Sequence, residues 1–160
     1  MTEKEQTAIA TVRRYVWWSI GAGLIPFVVL DIAAVTAVQL KMLAEISKIY
    51  GVEFRKTRGK AVVGSLVGSL IPGAFSYGVG YSVMKSVPVV GYVLGSPLMV
   101  IFSGATAWAL GKVFIQHFES GGTFLDFNPD EVKEYFKAQY EEGRKLAATT
   151  ERRENPQIPV

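Results

Sequence analysis

Cysteine is absent from the 160 residues, and histidine occurs once, as His117. Such a chain has no disulfide framework, no thiolate metal site and no redox pair, and a lone imidazole makes no metal centre without partners. Charge is scarce through the whole middle of the sequence. Residues 15–40 contain only Asp31, and residues 61–84 and 86–111 contain no Asp, Glu, Lys or Arg. The formal net charge of +3 is small and its basic residues form no continuous stripe, which speaks against nucleic acid as a partner. Catalytic signatures are missing as well. Gly78 and Gly80 begin like a dinucleotide loop without the third glycine, and Gly104 to Gly111-Lys112 has the wrong spacing for a P-loop and no Ser or Thr after the lysine. With no nucleophile elbow and no paired carboxylates in the apolar core, the chain reads as a non-enzyme that needs no cofactor and no metal.

What is present is apolar sequence in long blocks. Hydrophobic residues make up 49% of the chain and glycine occurs 16 times, too rich for a disordered polymer. The mean hydropathy is only +0.25, because both ends are ordinary charged sequence. The first eleven residues, with Glu3 and Glu5 and no cleavage site behind a short apolar core, do not read as a secretory signal. A helix needs about 20 apolar residues to cross a hydrocarbon core, so each of the three runs is long enough. Pro26, Pro72, Pro88 and Pro97 interrupt them, and each proline marks a kink, a helix start or a reversal. The fold class expected is all-α: membrane-embedded helical hairpins with broken helices, plus a cytoplasmic amphipathic C-terminal helix. The runs are either kinked spanning helices or re-entrant hairpins with tips at Gly21-Ala22-Gly23-Leu24-Ile25-Pro26 and Val67-Gly68-Ser69-Leu70-Ile71-Pro72. These hexamers resemble each other 46 positions apart, as paired broken helices of a transporter would, although so short a match also arises by chance.

The helix that starts near Pro26 outlasts the apolar run. Met42, Leu43, Ile46, Ile49 and Tyr50 recur at helical spacing, and Gly51 supplies a stop. Residues 51–60 carry Arg55, Lys56, Arg58 and Lys60 against Glu53, which places this loop in the cytoplasm and, with an antiparallel pair after it, the C-terminus too. Asn128-Pro129-Asp130-Glu131 reads as an N-cap, an N1 proline and an acidic first turn. Phe127 and Val132 stand at staple positions, and Val132, Tyr135, Phe136 and Tyr140 form an apolar stripe that docks on protein. This helix is expected to end near residues 143–146. Three segments follow: residues 1–118 as a membrane-associated helical domain, 119–146 as the capped helix, and 147–160 as a mobile tail.

No residue is a candidate for catalysis, but several are candidates for structure or partner binding. Asp31 is an ionisable group inside an apolar run, where such groups are expensive and functional by default. The plainer role is to anchor the backbone opened by Pro26. Gln39 lies two turns further along the same face. Gly64 with Gly68, and Gly91 with Gly95, are small-xxx-small pairs that let helices approach closely, and Pro72 marks the second break. His117 reads as an interfacial polar residue.

Several stretches resemble a family of uncharacterised bacterial membrane domains found behind Era-like GTPase domains and in YcjF-type inner-membrane proteins. They are Gly21-Ala22-Gly23-Leu24-Ile25-Pro26, the block Asp31-Ile32-Ala33-Ala34-Val35-Thr36-Ala37-Val38-Gln39-Leu40-Lys41-Met42, Tyr50-Gly51, Val87-Pro88-Val89-Val90-Gly91, and Ala105-Thr106-Ala107-Trp108-Ala109-Leu110-Gly111-Lys112. The resemblance implies an α-helical module of the bacterial inner membrane working beside a small GTPase, and it supplies no catalytic residue. These residues include no GTPase domain, so nucleotide chemistry would come from a separate partner. The function expected is a self-associating scaffold or anchor, a homo-oligomer in the lipid bilayer. The alternatives are a small channel or transporter with a polar path at Asp31, and a peripheral or soluble helical oligomer.

Overall fold

A computed structural model describes residues 1–22, 28–70 and 97–154. Five helices account for them, with no strand among the described residues: α1 (Glu3–Ala22), α2 (Val28–Tyr50), α3 (Lys56–Gly68), α4 (Pro97–Glu119) and α5 (Pro129–Glu154). The all-α expectation holds.

α4 is the central element, packed against α1, α2 and α5, while α3 bridges α2 and α5. Every residue from 103 to 111 is buried. A helix that is apolar all round has to be covered on all sides, and here protein covers it. The expectation of transmembrane helices finds no support among the described residues. Among the described residues no helix is long and apolar enough to cross a membrane. The first run is divided between α1 and α2, and much of the third is the core helix of a bundle.

α1 shows how the division works. It buries Ala8, Val12, Tyr15 and Ser19, spaced four, three and four residues apart, and exposes Arg13, Arg14, Trp17 and Trp18 on the other side. A run that looks uniformly apolar in one dimension is therefore two-faced once wound at 3.6 residues per turn. Two glycines set the close approaches. A Cβ on Gly111 would lie 2.7 Å from Val12 Cγ1, and one on Gly143 would lie 2.9 Å from both Cα and O of Ala105. So α1 crosses α4 at Gly111, and α5 crosses α4 at Gly143.

The end of α2 follows the sequence. Gly51 takes φ +72°, with Gly51 N–H bonded to Lys48 O at 3.1 Å and Val52 N–H to Ser47 O at 2.8 Å. That double closure in the left-handed region is a Schellman stop. α4 ends in the same way, with Gly121 at φ +83°, Gly121 N–H on Phe118 O and Gly122 N–H on His117 O. The start of α5 is capped by Asn128 as expected, though the box closes between side chains and not on the backbone N–H groups of Asn128 and Glu131. Asn128 Nδ2 donates to Glu131 Oε1 at 2.8 Å, and Asp130 N–H donates to Asn128 Oδ1 at 3.2 Å. Its far end differs from the expectation: α5 runs through Gly143 to Glu154, and Ala147 is buried. Gly143 is a contact point and not a stop, because packing on Ala105 outweighs the roughly 1 kcal/mol that glycine loses inside a helix.

Aromatic rings fill the end of the bundle where α4 stops. Phe114 stacks on Phe127 at 4.7 Å and lies 5.1 Å from Phe124, which meets Phe54 edge-on at 5.4 Å. Phe136 of the α5 stripe is fully buried, and Tyr140 meets Phe102 at 5.8 Å. The stripe docks on the chain's own α4.

Candidate functional site

Polar side chains in an apolar interior are the informative exceptions, and they gather where α1, α2 and α4 meet. Gln39, 3% exposed, donates from Nε2 to Thr106 Oγ1 at 3.1 Å. Thr106, fully buried, directs its own hydroxyl at the Phe102 and Ser103 carbonyls, at 2.9 and 3.0 Å. One turn back, Ser103 Oγ donates to Ser19 O at 3.0 Å, while Ser19 Oγ itself is buried without a partner. The result is a ladder of short polar contacts running from α2 through α4 to α1. Gln39, Thr106 and Ser103 spend their donors on neighbours, and the Ser19 hydroxyl is the member of the ladder left over. Chemically, the arrangement fixes the register of three helices.

Further along α1 and α2, the surface is tied by charge. Glu45 accepts from the Arg14 guanidinium and from the Tyr15 hydroxyl, the latter at 2.5 Å. Burial first, and then the bond to Glu45, pushes the Tyr15 hydroxyl up from 10.0 to about 12. Glu119, at the end of α4, accepts from Tyr50 at 3.3 Å and from Thr2 at 3.2 Å. Burial, with the Glu119 carboxylate beside it, raises Tyr50 as well.

His117 serves the turn after α4. Its Nε2 lies 2.9 Å from Thr123 O, and its ring stands edge-on to Phe127 at 4.9 Å. A Cβ on Gly122 would lie 2.7 Å from its Nδ1, so any larger residue there would displace the ring. Hydrogen bonds from Thr123 hold the nearby Asp126 carboxyl below its usual range.

Of the residues singled out from the sequence, Gln39 is in the ladder. Asp31 is the fourth residue of α2, and its side chain lies outside the described residues, as do Pro26, Pro72, Gly91 and Gly95. Gly64 is exposed and Gly68 half-exposed on α3; a Cβ on either meets nothing within 4 Å. The close approaches lie instead at Gly111 and Gly143. Thr106, Ser103 and Ser19 escaped notice as site residues, although hydroxyl residues three apart in an apolar helix are a usable signal.

The architecture is that of an all-α module in which two sequence blocks, 31–42 and 105–112, meet through Gln39 and Thr106. The chain belongs to the family described as domain of unknown function DUF697, whose sequence model matches residues 1–145. It is 35% identical over 142 residues to Magnetosome membrane protein 22 of Magnetospirillum gryphiswaldense, an alignment covering 89% of this chain and 73% of that protein. No solved structure matches.

Proposed function

We propose that this chain is a membrane-associated, self-associating scaffold or anchor, without catalytic activity of its own, that works beside a small GTPase. The observation that carries the membrane part is the relative that is a magnetosome membrane protein by name, similar over 89% of this chain. The sequence supports it: residues 71–96 contain one charge, Lys85, and α4 accounts only for the apolar residues after them. The ladder at Gln39 supports scaffold over conduit, because its polar groups bind one another. The edge of α3 at Gly64 and Gly68 is where contact between subunits would fit, since glycines with no neighbour among the described residues let another helix come close. The GTPase partner rests on the sequence resemblance alone.

For location, we place the domain at the bacterial inner membrane with residues 51–60 and the C-terminus in the cytoplasm. Arg55, Lys56, Arg58 and Lys60 are all exposed, and the positive-inside bias favours the cytoplasmic side for such a cluster. A second reading, a peripheral helical oligomer, is favoured by the lack of a spanning helix among the described residues. Fractionation separates the two. The scaffold embedded in lipid stays with the membrane through a carbonate wash and leaves only with detergent; release by carbonate alone establishes the peripheral form. Mass measurement after solubilisation tests self-association, and a monomer would refute it.

A further inference from the structure

Apart from Arg14, the outward face of α1 around Arg13, Trp17 and Trp18 is open among the described residues. Trp17 is 51% exposed and Trp18 is 64% exposed, the two most exposed aromatic rings that the helices display. Arg13 and Arg14 stand one turn before them, so that Arg13 with Trp17, and Arg14 with Trp18, are pairs four apart on one side. Arg14 is engaged by Glu45. Arg13 makes no ion pair among the described residues, and α1 has no acidic residue after Glu5. The buried side, at Ala8, Val12, Tyr15 and Ser19, is fully used by the bundle, so this face is not a core surface turned the wrong way.

Indole rings with a polar N–H and a broad apolar body favour the headgroup level of a bilayer. A cation without a counter-charge beside them matches a lipid phosphate in sign. We infer that the Arg13-Arg14-Trp17-Trp18 face of α1 is a docking surface for an anionic phospholipid bilayer, with the two indoles seated at the interface and Arg13 on the phosphates. The inference rests on the membrane-association reading and adds to it the residues and the lipid chemistry. α1 lies along the interface, because its other face is committed to α2 and α4.

The chain has three tryptophans, and the third, Trp108, is 6% exposed with an Nε1 that has no partner. Trp108→Phe therefore leaves a protein whose indole emission comes only from Trp17 and Trp18. The full chain in this background is mixed with phosphatidylcholine vesicles, with and without phosphatidylglycerol, and with the same vesicles carrying bromine high on the acyl chains. Far-UV circular dichroism checks that each variant is folded. The expected result is a blue shift and quenching by brominated lipid, together with loss of quenching by aqueous iodide. Trp17→Ser/Trp18→Ser, made in the natural sequence and followed by vesicle sedimentation, weakens partition by roughly tenfold or more. Arg13→Gln weakens it about fivefold on phosphatidylglycerol vesicles only. If the wild-type chain ignores vesicles, both this inference and the membrane reading fall. If it associates while the two indoles stay open to iodide and the serine variant partitions equally, only this inference falls. A blue shift on concentrating the protein without lipid would assign the face to a second copy and overturn it as well.

Discussion

Gln39 Nε2 and Thr106 Oγ1 meet at 3.1 Å inside the bundle, and the pair links α2 to the central helix at a point where both residues are buried. Thr106 lies about one and a half turns from Gly111, which α1 crosses, and next to Ala105, on which Gly143 of α5 packs. Four helices are thus registered within about two turns of α4. An amide and a hydroxyl that satisfy each other in an apolar interior stabilise modestly as a pair, but either left alone is penalised.

Thr106→Val should therefore destabilise the fold by about 1–3 kcal/mol, because the Gln39 amide keeps its buried donors and loses its acceptor. Gln39→Leu with Thr106→Val should recover much of that loss. Urea unfolding of the four proteins in a double-mutant cycle measures the coupling, and additivity within about 0.5 kcal/mol would show that the bond is incidental.

Glycine positions give a sharper contrast. Gly143→Ala pushes a methyl against Ala105 backbone and should cost about 1–3 kcal/mol with no easy relief. Gly111→Ala meets the Val12 side chain first, so Val12→Ala should restore part of its stability. Gly64→Ala meets nothing and should raise the stability of the isolated subunit by up to about 1 kcal/mol. If Gly64 lies between subunits, as we propose, the same change weakens the oligomer in detergent. Thermal unfolding and mass measurement together read both effects.

These outcomes bear on what a sequence can disclose. The stop at Gly51 and the box from Asn128 to Glu131 were legible because each is local: a turn conformation or a cap is set by a few adjacent residues. The role of residues 103–111 was not. Burial in protein and burial in lipid select the same apolar side chains, and only the partners of α4 distinguish them. Gly143 failed similarly, since a glycine can end a helix or admit a neighbour, and Ala105 lies far off in sequence. Thr106 sat unremarked in a block that was apolar otherwise, because its partner Gln39 is on another helix.

Alkaline pH tests the contacts of Glu45 and Glu119. Tyr15 is held up at about 12 against 10.0 for an ordinary tyrosine, so the folded chain keeps this proton after the unfolded chain has released it. Its contribution is complete below pH 10 and is lost as pH rises towards 12. Tyr50 is shifted in the same direction. Unfolding free energy should fall across that window, and Tyr15→Phe should flatten the fall, since phenylalanine has no proton to lose. An unchanged slope in Tyr15→Phe would remove Tyr15 as its source.

Asp31 decides between anchor and conduit. It is the fourth residue of α2, and in a helix that begins near Pro26 the free backbone N–H groups and the helix dipole of the first turn would favour a negative charge there. That position suits the anchoring role, and Asp31→Asn, which keeps an acceptor, should leave assembly nearly intact. Asp31→Leu removes the acceptor and should lower stability by about 1–3 kcal/mol. A proton or cation path would behave otherwise, because an amide neither takes up a proton nor balances a cation. Ion and proton flux should be followed in liposomes holding the wild type or Asp31→Asn, with oligomer size checked in both. The expected result is no flux from either. Conduction by the wild type that Asp31→Asn abolishes, in particles of unchanged size, would replace the scaffold by a transporter and make the Gln39 ladder the wall of its path.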